Sequence, residues 1–131
     1  MRRQFALLPE DESFLNQYGC QWETVMDGSP WVLLHNFYTH DGYNHPAATI
    51  AVRMDAGYPD SQLDMVYVYP PLTRKDGRGI PATEATQQID GKSFQRWSRH
   101  RTATNPWRRE TDSLETHIFC IEEWFQREFE K

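Results

Sequence analysis

Apolar residues recur along this chain in two periods, and the change from one to the other divides it. Phe14, Leu15 and Tyr18 fall on one side of a helix that opens at Leu8-Pro9-Glu10-Asp11-Glu12. Proline suits a first turn, and acids there face the free backbone N–H groups. Gly19 is placed to end that helix in the left-handed region. Strand-like runs follow at Gln21–Val25, Trp31–Phe37, Ala48–Met54 and Met65–Tyr69, separated by turn signals at Met26-Asp27-Gly28-Ser29 and Asp41-Gly42-Tyr43-Asn44. Hairpin-like spacing predicts an antiparallel meander of four strands with one side open to helices. From Pro70 onward Pro70-Pro71, Gly77, Gly79 and Pro81 interrupt any ladder, Ala82 to Gln88 allows a helical turn or two, and irregular structure is expected to about Pro106. Leu114, Ile118, Ile121, Phe125 and Phe129 then return at helical spacing, after Asp112-Ser113-Leu114-Glu115, which outlines a capping box.

The expectation is therefore one α+β domain over residues 1–131, with an N-terminal helix, a four-stranded sheet and a long C-terminal helix. Trp31, Leu33, Ile50, Val52, Val66, Leu114, Ile118, Ile121 and Phe125 are its expected core. A 14% aromatic content predicts a core built on a few large rings. Cys20 and Cys120 form neither a disulfide framework nor a metal motif, and read as buried thiols of a reducing compartment. No signal peptide or membrane span is visible, so a cytoplasmic protein is expected.

Charge changes this picture in one place. The chain carries a formal net charge of -5, yet between Lys92 and Arg109 it holds six Lys/Arg, His100, two tryptophans and no carboxylate. An ordered loop so lined is expected to bind or react. Within it, Ser98 has His100 two positions on, as a hydroxyl nucleophile requires of its base. Arg96, Arg99 and Arg101 are candidates to hold a carboxylate or balance an oxyanion. His35, His40 and His45 with Asp41 lack metal-ligand spacing, and no metal or other cofactor is expected. Asp55 and Asp60 flank a turn as solvated acids. Phosphate loops, dinucleotide fingerprints and serine-hydrolase elbows are absent from the sequence.

The order of elements, the Gly57-Tyr58-Pro59-Asp60 turn, Gln95-Arg96-Trp97-Ser98-Arg99-His100, Trp107 and Asp112-Ser113-Leu114 together resemble the ubiquitin-conjugating-enzyme (UBC-like) superfamily, and within it a bacterial branch. Tyr58 and Pro59 match that family's turn between the third and fourth strands, with Leu63-Asp64 standing where a proline pair is customary. Pro59 is expected to hold Tyr58 extended, its ring over the sheet edge. In the family a nucleophilic cysteine lies shortly before the tryptophan aligned with Trp107. Here that window holds Trp97, Ser98 and Arg99, and the His-Pro-Asn motif is missing around Ile80 to Asp90.

Three functions follow from the resemblance and the loop. The first is a cysteine-less conjugating-enzyme homologue carrying a ubiquitin-like C-terminus as an oxyester on Ser98, with His100 as base and Arg99 as stabiliser. The second is a non-catalytic adaptor that docks a ubiquitin-like protein or an activating enzyme through Trp97, Arg96, Arg101 and Trp107. The third, a nucleic-acid module in which Trp97 stacks and the arginines meet phosphate, is disfavoured by the acidic remainder of the chain.

Overall fold

The computed structural model describes residues 1–131. Its elements run α1 (Pro9–Tyr18), β1 (Trp22–Asp27), β2 (Ser29–Tyr38), β3 (Ala47–Arg53), β4 (Val66–Tyr69), β5 (Thr86–Ile89), β6 (Lys92–Trp97) and α2 (Leu114–Arg127). The sheet has six strands, all antiparallel, in the order β1-β2-β3-β4-β6-β5. The expected meander is its first four strands. The expected irregular stretch contains a further hairpin, which raises the count from four to six and converts Lys92–Trp97 from loop into strand. Asp90 and Gly91 make its turn with φ of 54° and 77°, and Ile89 pairs with Lys92 across it. Two positive φ angles in a two-residue loop are what a type I′ turn requires, and Asp-Gly supplies them cheaply.

Alternation along β2 explains the packing. Val32 and Leu34 point to the helices and join the main core, whereas Trp31 and Leu33 point to the opposite face. A register shift lies between Leu34 and Phe37, where Asn36 has φ 57°. The bulge reverses the parity and returns Phe37 to the helix side, against Tyr18 and Phe125. All nine expected core residues are buried, but they serve two cores. Ile50, Val52, Val66 and the α2 stripe pack together. Trp31 and Leu33 instead meet Val25, Ala51, Tyr67, Ile89 and Phe94 on the other face.

That second core needs no helix because the sheet curls over it. The sheet's two ends meet through side chains: the Asp90 N–H donates to Asp27 Oδ2 (2.8 Å), and the Arg2 guanidinium reaches both Glu23 (2.9 Å) and Asp90 (2.7 Å). Along the outer side of β1, Gln4 N–H donates to Thr24 O and Thr24 N–H to Arg2 O. The N-terminal residues thus act as a short parallel companion to β1.

The two helices are joined through one residue of the Tyr-Pro turn. The Tyr58 hydroxyl donates to Asp11 Oδ2 (2.7 Å) in the first turn of α1 and accepts the Leu114 N–H (2.8 Å) at the start of α2. Its polar end therefore ties helix to helix, where sequence reading placed the ring over a sheet edge. The capping box is also displaced by one residue: Ser113 is the N-cap and its N–H donates to Thr116 Oγ1 (2.9 Å). Asp112 lies outside the helix, accepting the Arg108 N–H (2.7 Å) and facing Arg101. At the other end of α1, Gly19 takes φ 102°, as its placement required.

Candidate active site

Alternation also divides the labour at the end of β6. Trp97 turns inward and is fully buried against Phe125, Tyr43 and the indole partner Gln95, whose Oε1 accepts its Nε1–H (2.9 Å). Gln95 is itself fixed by two bonds to the Leu72 backbone. Trp97 thus offers no surface to a partner, which corrects its expected role as a docking anchor. Its neighbour Ser98 emerges at the surface on a backbone that the core holds still.

There Ser98 Oγ lies 3.1 Å from His100 Nε2, and His100 Nδ1 lies 2.8 Å from Asp64 Oδ2 and 3.0 Å from Oδ1. Hydroxyl, imidazole and carboxylate form one chain of hydrogen bonds. With the proton on Nδ1 and directed at Asp64, Nε2 presents a lone pair to the serine O–H, the tautomer that general-base activation needs. The His100 side chain is 55% exposed and that of Asp64 31%, so the chain opens to solvent and admits a large substrate. Sequence reading found Ser98 and His100 but not Asp64, which is distant in sequence. The one signal available was the departure at Leu63-Asp64 from the family's proline pair.

The backbone around this trio is held in unusual conformations. Met65 N–H donates to Arg99 O (3.0 Å), extending the β4–β6 ladder past Val66 and Trp97, and Ser98 N–H donates to Ala82 O (3.0 Å). Met65 and Ala82 have φ of 59° and 56°. Non-glycine residues in the left-handed region cost about 1–3 kcal/mol each and concentrate where the surroundings enforce a functional geometry. From below, His117 Nε2 meets Met65 O at 2.9 Å. Burial pushes the His117 imidazole down to about 4, so it is neutral and donates from Nε2.

The arginines have other tasks than those expected. Arg99 places Nη1 on Pro81 O (3.0 Å) and Ser98 O (3.2 Å), approaches Glu128 (3.4 Å), and covers the Trp97 ring at 4.9 Å. Both of its Nη groups are engaged by the scaffold, so it clamps the segment. Arg96 is exposed opposite Tyr67, on the sheet face away from Trp97. Arg101 lies over Trp107 (5.2 Å), and Trp107 Nε1–H donates to Pro59 O (3.0 Å). Arg109 pairs with Asp60. Three of the loop's six cations, Arg99, Arg101 and Arg109, thus face carboxylates from elsewhere in the chain, which sequence order concealed.

Two of the histidines have separate partners. His35 bridges Glu23 and Thr49, and His40 stacks on Phe129. No helix is long and apolar enough to cross a membrane.

No curated protein and no solved structure matches the chain. A family model does, over nearly its whole length: residues 7–128 match prokaryotic E2 family E, and the chain belongs to that family.

Proposed function

We propose that this conjugating-enzyme-like protein carries the C-terminus of a ubiquitin-like protein as an oxyester on Ser98. The observation that supports this reading is the Ser98–His100–Asp64 chain, standing in the segment where the resemblance places a nucleophile. Starting from a thioester on an activating-enzyme-like protein, Ser98 Oγ attacks the terminal carbonyl and His100 Nε2 takes its proton. The carbon–sulfur bond breaks, and the departing thiolate receives that proton as the ester forms. Asp64 holds the Nδ1–H and stabilises the imidazolium meanwhile. In the second half an acceptor amine or hydroxyl gives its proton to His100, which returns it to Ser98 as the ester breaks. An ester is less reactive than a thioester toward amines, so the second half depends most on His100.

A second reading, a non-catalytic adaptor for a ubiquitin-like protein or its activating enzyme, draws on a different observation. The Ser98 N–H is committed to Ala82 O and Arg99 to the scaffold, which withdraws two nearby donors from any oxyanion. Intact-protein mass spectrometry after incubation with the matching activating enzyme, ubiquitin-like protein and ATP separates the two. A carrier gives an adduct that resists thiol, yields to hydroxylamine and is lost in Ser98→Ala. Absence of any adduct, with binding retained, refutes the carrier and leaves the adaptor.

A further inference from the structure

Beside His100, on the side of α2, lies a polar cavity of about 270 Å³. The loop after β6 contributes His100, Arg101, Thr104 and Asn105 to its wall, and α2 contributes Glu123 and Arg127. The volume is below the range of drug-sized ligand pockets, about 300–1,000 Å³, and suits a group of amino-acid size.

Arg101 is the unusual member. Its side chain is only 7% exposed, yet its hydrogen bonding is poor. Nη1 reaches Asn105 Oδ1 and Nη2 reaches Asp112 Oδ1, both at 3.4 Å, and Nε is buried with no partner at all. A buried guanidinium normally fills its planar fork with short, paired bonds to a carboxylate or phosphate. Neither nearby acid supplies them. Asp112 accepts the Arg108 N–H at 2.7 Å, and Glu123 is bonded to Arg127. Thr104 and Asn105 bring further polar atoms to the same wall.

We propose that this cavity binds a carboxylate, with Arg101 as its principal donor and Arg127 at its rim. Because His100 belongs both to the cavity and to the Ser98 chain, a carboxylate held there fixes its molecule next to the acyl group. The substrate class this assigns is an acceptor, small molecule or peptide side chain, that bears a carboxylate near its amine or hydroxyl. That last assignment rests on the proposed carrier function; the carboxylate site does not.

The test is a titration followed by ¹H–¹⁵N spectra that resolve arginine Nε–H groups, at low salt, with L-glutamate, glutaramide and inorganic phosphate as probes. Glutamate is expected to move the Arg101 Nε–H saturably, glutaramide, which has no carboxylate, not at all, and Arg127→Gln, at an exposed position, to weaken glutamate at least fivefold. Ser98→Ala is expected to leave the titration unchanged, so this result stands whether or not an adduct forms in the transfer assay. No saturable shift with glutamate, an equal shift with glutaramide, or binding of phosphate alone overturns the assignment. So does an affinity unaffected by Arg127→Gln.

Discussion

The hydroxyl of Tyr58 does two jobs with one oxygen, and Tyr58→Phe removes both while keeping the ring. Asp11 is 1% exposed, and the hydroxyl donates to it at 2.7 Å. A hydrogen bond to a charged acceptor is worth about 1.5–3 kcal/mol. The same oxygen accepts the Leu114 N–H, and an unsatisfied N–H in a first helical turn costs about 1 kcal/mol, as a lost cap does. Together the change destabilises by about 2.5–4 kcal/mol. At a urea m-value near 2 kcal/mol/M this lowers the midpoint by roughly 1–2 M. The pH dependence has a definite sign. Burial pushes the Asp11 carboxyl above its ordinary value of 3.8, and the Tyr58 hydroxyl pulls it back. Without the hydroxyl it rises further, so the folded state holds its proton more strongly than the unfolded state does. The deficit of the variant therefore grows as pH rises through and above 4. Urea unfolding by far-ultraviolet circular dichroism at pH 4 and pH 7 measures both quantities. A loss below about 1 kcal/mol, or one no larger at pH 7 than at pH 4, refutes the bridging role.

Three further outcomes are expected. Asp64→Asn keeps the side-chain shape at a half-buried position and costs about 1 kcal/mol or less of stability, but slows adduct formation on Ser98 by roughly 10²-fold or more; an unchanged loading rate in timed mass spectra removes Asp64 from the site. Trp97→Ala costs about 3–5 kcal/mol through the cavity it leaves in the main core, seen as a fall in thermal midpoint; a fully stable variant with weakened partner binding would restore the surface-anchor role. Arg2→Gln alters the acid limb of stability. Chiefly through its bond to Arg2, Glu23 is held down to about 2 from 4.5, so its contribution is present above pH about 4.5 and lost as pH falls toward 2. In the variant that loss flattens, measured as urea midpoint between pH 2.5 and 6.

Periodicity in the sequence exposed what packs, and order along the chain hid what meets. The helices, the first four strands and every expected core residue were legible because their apolar repeats are long and regular. The β5–β6 hairpin was not, although Asp90-Gly91 is a strong hairpin signal. Thr86-Gln87-Gln88 gives β5 almost no apolar face, and in β6 Phe94 and Trp97 lie three apart and serve opposite faces, so no period-2 apolar repeat marks the strand. Two of the three residues of the candidate site were readable because Ser98 and His100 are near neighbours. Asp64 was not, since only the β4–β6 pairing brings it there. The surface placement expected of Trp97 failed for a related reason: whether a residue near a strand end is core, clamp or surface depends on its parity and its cross-chain partners.

The companion strand at the N-terminus bears on how this protein behaves in quantity. Strands at the rim of a sheet carry unpaired backbone groups that invite a second molecule, and natural proteins blunt them with charge, covering segments or brevity. Here β5 is four residues long and mostly polar, while β1 is covered by Arg2–Gln4 and sealed by Arg2 against Glu23 and Asp90. Trimming those few residues, or fusing a tag that draws them away, uncovers a hydrogen-bonding rim beside a curled sheet. Arg2, Arg3 and Gln4 thus keep the open edge of β1 from offering its backbone to a second molecule.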